Sequence, residues 1–205
     1  GVLYDLSNFD DYEQILTNFQ KGAETPYIYN GKPYALPDTQ GFNVMFVRDD
    51  IFKELDLQVP QTWDEYLSVI AVIQRKNMNA YLPYTRILAA TTVNTGAGGL
   101  SIFPTLLMQN GESLYNKELN STNLASPISV QTFKFWTDFY TEYKLNPDVN
   151  FYQRFRVGTI PLGIAGYTNY LTFAVAAPEI EGKWSVHKIP GVKQADGSIN
   201  HVTAG

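Results

Sequence analysis

Helix starts and short apolar runs take turns along this chain, and that alternation constrains the fold more than any single motif does. Thr62, with Glu65 three residues on, forms a capping box. In that motif the hydroxyl and the carboxylate each satisfy a backbone N–H that the first helical turn leaves open. Behind it Trp63, Tyr66, Leu67, Ile70 and Ile73 repeat at helical spacing and predict one buried stripe. Ser126 ahead of Pro127 marks another start, because proline at the first helical position gives up an N–H that has no partner there. Val130, Phe133, Trp136, Phe139, Tyr140 and Tyr143 make the face that follows. Asp10 with Glu13 repeats the capping box ahead of Tyr12, Ile15, Leu16 and Phe19, and Lys21-Gly22 is the stop. Further helices are expected from about Ser101 to near Gly111, over 148–157 before Gly158, and ahead of Pro178. Between them, strands are expected around Tyr34 and Leu36, around Val44 and Phe46, and over Tyr81–Thr85, Trp184–Ile189 and Asn200–Thr203. Ile160–Ala165 is a continuous apolar run of the kind buried strands carry. Strands alternating with helices predict an α/β layer architecture with a sheet covered on its faces.

Composition narrows the function. With 205 residues, 44% of them hydrophobic, the chain buries one full core. Charged residues are 17% and the net charge is −5, so the basic footprint that nucleic acid requires is missing. Apolar runs such as Phe173–Ala177 fall far short of the roughly 20 residues that span a bilayer. With no cysteine there are no disulfides, thiolate metal sites or cysteine nucleophiles. There is no G-x-S-x-G elbow and no H-E-x-x-H. The glycine run in TGAGGLS lacks both the dinucleotide spacing and the Gly-Lys-Ser/Thr ending of a phosphate loop. His187 and His201 each stand alone in sequence, without a nearby carboxylate, and read as strand residues. No catalytic residue, metal or cofactor is expected. The unusual feature is the ring content: 3 Trp, 14 Tyr and 12 Phe. A rigid ring with a polar tip suits a surface that contacts a ligand and still meets water, although rings are also ordinary core and rim residues.

The order of these elements carries a likeness. The string GKPYALPDTQGFNVMFVRDDIF followed by VPQTWDEY resembles the first interlobe crossover and the next helix of family 1 extracellular solute-binding proteins of ABC sugar transporters. PTLLMQNGESLY, FYQRFRVGTIPLGIAGYTNY, APEIEGKWSVHKIPG and the final HVTAG follow in the order of that family, closer to its Gram-positive branch. The resemblance implies an α/β, C-lobe-like domain of a two-lobed, type II periplasmic-binding-protein fold, cut at both ends. Residues 1–36 would be the tail of the N-lobe, 37–48 the interlobe crossover, 49–198 the C-lobe and 199–205 the return strand. It further implies a non-catalytic protein that binds a carbohydrate and delivers it to an ABC permease. The expected location is the outer cell surface or the periplasm, with membrane attachment only through an N-terminal anchor outside this chain.

The family binds ligand between its lobes, so candidate contacts are the positions that match cleft-facing motifs. Asp38, Gln40 and Phe42 fall at the crossover, where a carboxylate or amide would bond sugar hydroxyls, or else serve the turn after Pro37. Arg86 lies in the loop after a strand end, where open α/β sheets bind ligands. Ser101 and Phe103 would present a hydroxyl and a ring, or else an N-cap and a core residue. Tyr167 follows the strand IPLGIAG, with Gly166 expected to turn the backbone and expose the ring; Tyr170 is its companion, or packs beneath the helix. The loops at 38–42, 86–103 and 166–170 are expected on one side. Two other readings use the same residues: a glycoside hydrolase, which needs two acidic groups at a fixed separation, and a surface module that reuses the lobe for protein contacts.

Overall fold

A computed structural model describes residues 3–38, 41–83, 102–118 and 120–203. The chain divides into a first unit, Gly1–Gln40, and a second, Gly41–Gly205. The expected crossover at 37–48 therefore straddles the boundary.

In the first unit, α1 is only Tyr12–Leu16, and the Asp10/Glu13 capping box does not form. Asp11 occupies the N-cap position without a side-chain bond. The Thr17 hydroxyl and the Asn18 amide take the carbonyls of Gln14 and Ile15, so side chains close the helix before Phe19. The strand expected around Tyr34 lies earlier. It is a hairpin of β1 (Ile28–Tyr29) and β2 (Lys32–Pro33). Asn30 and Gly31 turn it, both at positive φ (50° and 73°), as tight hairpin turns demand.

The second unit runs β3 (Asn43–Arg48), α2 (Asp49–Glu54), α3 (Trp63–Gln74), β4 (Ala80–Tyr81), α4 (Ile102–Gln109), α5 (Pro127–Thr141) and α6 (Phe151–Arg156). It continues with β5 (Leu162–Gly166), α7 (Asn169–Ala176), β6 (Trp184–His187), β7 (Val192–Lys193) and β8 (Ile199–Asn200). The predicted helix starts appear: Thr62 and Glu65 complete the capping box, and the Ser126 hydroxyl accepts from Ser129 N. The α6 cap is Asn150, later than expected from 148. The expected α5 face appears in its second half, where Phe139 is buried and Trp136 and Tyr140 pack against the core. At the start of the helix Ser129 and Thr132 are buried instead of Val130 and Phe133, which stay exposed at the side of α4. At the end of the chain, β8 pairs with β7, and residues 201–203 are not strand.

The main sheet has the order β4-β5-β3-β6, with β3 antiparallel to both neighbours and β4 parallel to β5. Both faces are covered. One packs Met45, Val47, Leu162 and Ile164 against Trp63, Tyr66 and Ile70 of α3, Leu106 of α4 and Phe139 of α5. The other packs Phe46 and Ala165 against Phe151 and Phe155 of α6 and Phe173 of α7. Each such large apolar side chain contributes about 1.5–3 kcal/mol through burial.

Two buried polar groups tie this unit together. The Arg48 guanidinium donates from Nε and Nη2 to the Asp50 carboxylate (2.9 and 2.7 Å) and from Nη1 to the carbonyls of Phe155 and Arg156 at the end of α6 (2.8 and 3.0 Å). A cation at a helix C-terminus also complements the helix dipole. The Gln109 amide accepts from Trp63 Nε1 (2.7 Å) and donates to the carbonyls of Pro190 and Val202 (3.0 and 3.1 Å).

Two predictions follow from this packing. A Cβ on Gly163 would sit 2.2 Å from Phe151 Cε2, so Gly163→Ala should lower the unfolding free energy by about 1–3 kcal/mol, and Phe151→Leu in the same chain should recover part of the loss. Urea unfolding of the three variants measures it, and a Gly163→Ala protein of wild-type stability contradicts the packing. Burial raises the Asp50 pKa, but the hydrogen bonds and charge of Arg48 outweigh it and hold the carboxyl below its ordinary value. A depressed folded-state pKa gives stability that is present above the unfolded value and lost as pH falls through the folded one. Acidification from neutral to about pH 3 should therefore destabilise the wild type, and Asp50→Asn should flatten part of that slope. Parallel slopes for the two proteins would show that this pair contributes nothing to it.

Candidate ligand-binding site

Because β3 and β5 are antiparallel, the start of one and the end of the other meet at the same end of the sheet, with Asn43 opposite Gly166. The ladder runs one step further, where Tyr167 N donates to Phe42 O at 2.9 Å. Gly166 stays in the strand, contrary to the expected turn at that glycine. The turn comes after it, closed by Tyr170 N to Tyr167 O (2.8 Å) and by Asn169 Nδ2 to Gly166 O (3.0 Å).

This backbone brings together rings that are 125 residues apart in sequence. Phe42 and Tyr167 stack with centroids 5.1 Å apart and planes at 15°. Tyr170 lies nearly parallel to Tyr167, at 5.6 Å and 13°. Trp184 meets Tyr170 edge-on at 5.5 Å. Phe42, Tyr167 and Tyr170 are 38, 44 and 39% exposed, so the run meets solvent. Each stacked pair contributes about 0.5–1.5 kcal/mol beyond its buried area. A surface of this kind offers apolar ring area beside phenolic hydroxyls, the combination that carbohydrate C–H and O–H groups require.

The remaining candidates fare differently. Asp38 is exposed in the first unit. Gln40, Arg86 and Ser101 lie outside the described residues. Phe103 is a correction: it is 1% exposed, packed against Phe133 and Trp136 at 5.8 and 5.7 Å, on a helix whose Ile102, Leu106 and Leu107 are also buried. Its ring belongs to the core. Sequence reasoning missed Asn169 and Trp184 as supports of the run. The Asn at the start of α7, one residue before Tyr170, was the available signal for the first; Trp184 reaches Tyr170 only through folding.

His187 is less isolated than its sequence suggests. Ser185 donates to Asp49 Oδ1 (2.6 Å), and its oxygen lies 2.7 Å from His187 Nε2. With the serine proton committed to the carboxylate, Nε2 is the donor to the hydroxyl. The histidine thus sits at the end of this chain and not in the middle, where a base activating serine must be. His201 Nδ1 bonds Ile189 O at 2.8 Å. Among the described residues no group of three His, Cys, Asp or Glu side chains is placed to hold a metal.

The bacterial extracellular solute-binding protein family matches residues 1–204. The chain belongs to that family. Among solved structures, a solute-binding protein from Thermotoga lettingae bound to α-D-tagatose superposes with a TM-score of 0.70 at 20% identity, covering 92% of this chain and 49% of that one. One from Listeria monocytogenes in complex with cycloalternan superposes with a TM-score of 0.69 at 22% identity, covering 95% and 49%. A multiple sugar-binding protein of Streptococcus mutans is 38% identical over 76 residues, 37% of this chain and 17% of that protein. As a solute-binding protein chain it thus spans about half the length of the solved structures it matches. The fold is the one they share.

If the rings of this solute-binding protein act as a unit, Phe42→Ala and Tyr167→Ala should be non-additive. A double-mutant cycle in urea should give a coupling of about 1 kcal/mol, and additive losses would mean that the two rings do not support one another.

Proposed function

We propose that this chain is the greater part of the C-lobe of a two-lobed binding protein that captures a sugar or oligosaccharide outside the cell. It performs no chemistry and hands its ligand to an ABC permease. In this reading residues 1–36 end the N-lobe, 37–48 cross between lobes, 49–198 form the C-lobe and 199–205 begin the return. The protein works in the periplasm or on the outer surface, held there by an anchor outside these residues. Among the described residues no helix is long and apolar enough to cross a membrane.

The observation that carries this reading is the solvent-facing run of Phe42, Tyr167 and Tyr170 at one end of the sheet, in a chain of the solute-binding family. Asp38, Gln40, Arg86 and Ser101 remain candidate polar contacts on the strength of the motif match.

A thermal-shift screen of the full-length protein against mono- and oligosaccharides tests it, because a ligand that binds only the folded state raises apparent stability. At least one carbohydrate should raise the melting temperature, and Tyr167→Ala should weaken that ligand about tenfold or more, since one good contact is worth about 1.4 kcal/mol. A screen flat across sugars with a hit among peptides assigns another solute class. Release of cleaved product from a bound glycan assigns a hydrolase.

A further inference from the structure

A glycine has no side chain to shield its own amide nitrogen, so an asparagine or aspartate ahead of it can close a five-membered ring onto that nitrogen. Asn30-Gly31, Asn110-Gly111 and Asp196-Gly197 are the pairs of this kind in the chain. The sequence does not rank the two asparagines; the hydrogen bonds do. Asn110 Nδ2 donates to Leu106 O (2.8 Å) and Gly111 N to Met108 O (3.1 Å), so both reacting groups are engaged. Asp196 Oδ1 accepts from Ser198 N and Oγ (2.9 and 2.6 Å), and Gly197 N donates to Gln194 O (3.0 Å). The β1–β2 turn differs. Among the described residues neither the Asn30 side-chain amide nor the Gly31 N–H has a hydrogen-bond partner, and both residues are exposed. No atom beyond its chain neighbours lies within 4 Å of where a Gly31 side chain would begin, so water reaches the turn freely.

We infer that Asn30 is a site of spontaneous deamidation and that its conversion opens this hairpin. Gly31 N bonds to Asn30 Cγ, the Cγ–Nδ2 bond breaks, and the side-chain nitrogen leaves as ammonia with the proton that Gly31 gives up. Water then opens the succinimide at either carbonyl, yielding aspartate or isoaspartate, and no oxidant or cofactor takes part. Closing the ring requires the peptide after Asn30 to rotate out of the turn, so the hairpin must part briefly. Little opposes that. Each strand has two residues, a ladder of that size is marginal, and Ile28 and Tyr29 are 43 and 70% exposed. Isoaspartate carries an extra carbon in the main chain, which a two-residue turn at fixed register cannot take up, so Tyr29 and Lys32 no longer pair.

The test is to hold the full-length protein at mildly alkaline pH, folded and in urea, and to follow each peptide by mass spectrometry as amide nitrogen is exchanged for oxygen. In the folded protein Asn30 should convert at least about tenfold faster than Asn110, because only its reacting groups are free. In urea the two should agree within about threefold, since the bonds that protect Asn110 are then gone. Asn110 converting as fast as Asn30 in the folded protein, or Asn30 converting only in urea, overturns the assignment. Asn30→Gln, which would have to close a larger ring, should remove the isoaspartate that enzymatic methylation detects in aged protein; an undiminished signal places the reaction elsewhere and overturns it as well. In the isoaspartate fraction of the wild type, the Tyr34 amide, which donates to Tyr27 O at 3.0 Å beside the hairpin, should exchange its hydrogen faster than in fresh protein. Equal exchange in the two would overturn the opening of the hairpin.

Discussion

The antiparallel register of β3 on β5 is the constraint on which the rest of the second unit depends. From Asn43–Gly166 to Val47–Leu162 it places Met45 and Ile164 toward one helical layer and Phe46 toward the other. A slip of one residue exchanges these faces, sending the ring of Phe46 into the layer built around Ile70 and Phe139. The same register, continued by one hydrogen bond, sets Phe42 beside Tyr167. Core and candidate site are therefore products of a single alignment, and the penalty for misplacing the core protects the geometry of the site.

The helices anchor that alignment from both sides by different means. On the α3–α4–α5 side Trp63, Tyr66 and Phe139 pack edge-to-face among aliphatic side chains, with the Trp63–Gln109 bond as a polar centre. On the α6–α7 side the rings close on one strand residue. Phe46 touches Phe151, Phe155 and Phe173 at 5.3–6.3 Å in tilted or edge-on geometry, and Gly163 opens the space that the Phe151 ring fills. Arg48 binds this ring-rich layer to the start of α2, so the central strand is held at its far end by a charge and at its near end by stacked rings.

How much of this was legible follows from the range of each signal. The capping box at Thr62 and the Ser126-Pro127 start are written within four residues and appear as read. The run Ile160–Ala165 also became a strand, which starts two residues later and ends one later, at Leu162–Gly166. The failures have local causes. The Asp10/Glu13 pattern lost to side chains that close the helix by Leu16, and Asn30-Gly31 made a hairpin where a later strand was expected. Only the start of the α5 stripe departs from expectation, because a helix buries what its neighbour can approach and there the small Ser129 and Thr132 are buried in place of Val130 and Phe133. For the site, family likeness put Phe42, Tyr167 and Tyr170 among the candidates, but no spacing in the sequence announces a contact across 125 residues. Phe103 could not be told from a ligand-facing ring by its neighbours in sequence, since a buried and a presented phenylalanine both follow a helix start. The serine that links His187 to Asp49 was equally invisible, because it joins a strand to a helix 136 residues away.

Gln109 has a mechanical consequence. Its amide grips the carbonyls of Pro190 and Val202 with one end and the Trp63 indole with the other, so the outgoing segment is moored to the middle of the domain and not to its rim. Asn200 Nδ2 adds a bond to the Gln109 carbonyl and His201 Nδ1 one to the Ile189 carbonyl, so this stretch is held at three successive residues. Loss of the Gln109 amide would leave the Trp63 indole and the Pro190 and Val202 carbonyls without this partner at once, so one side chain couples the last described residues to the packing of α3 on α4.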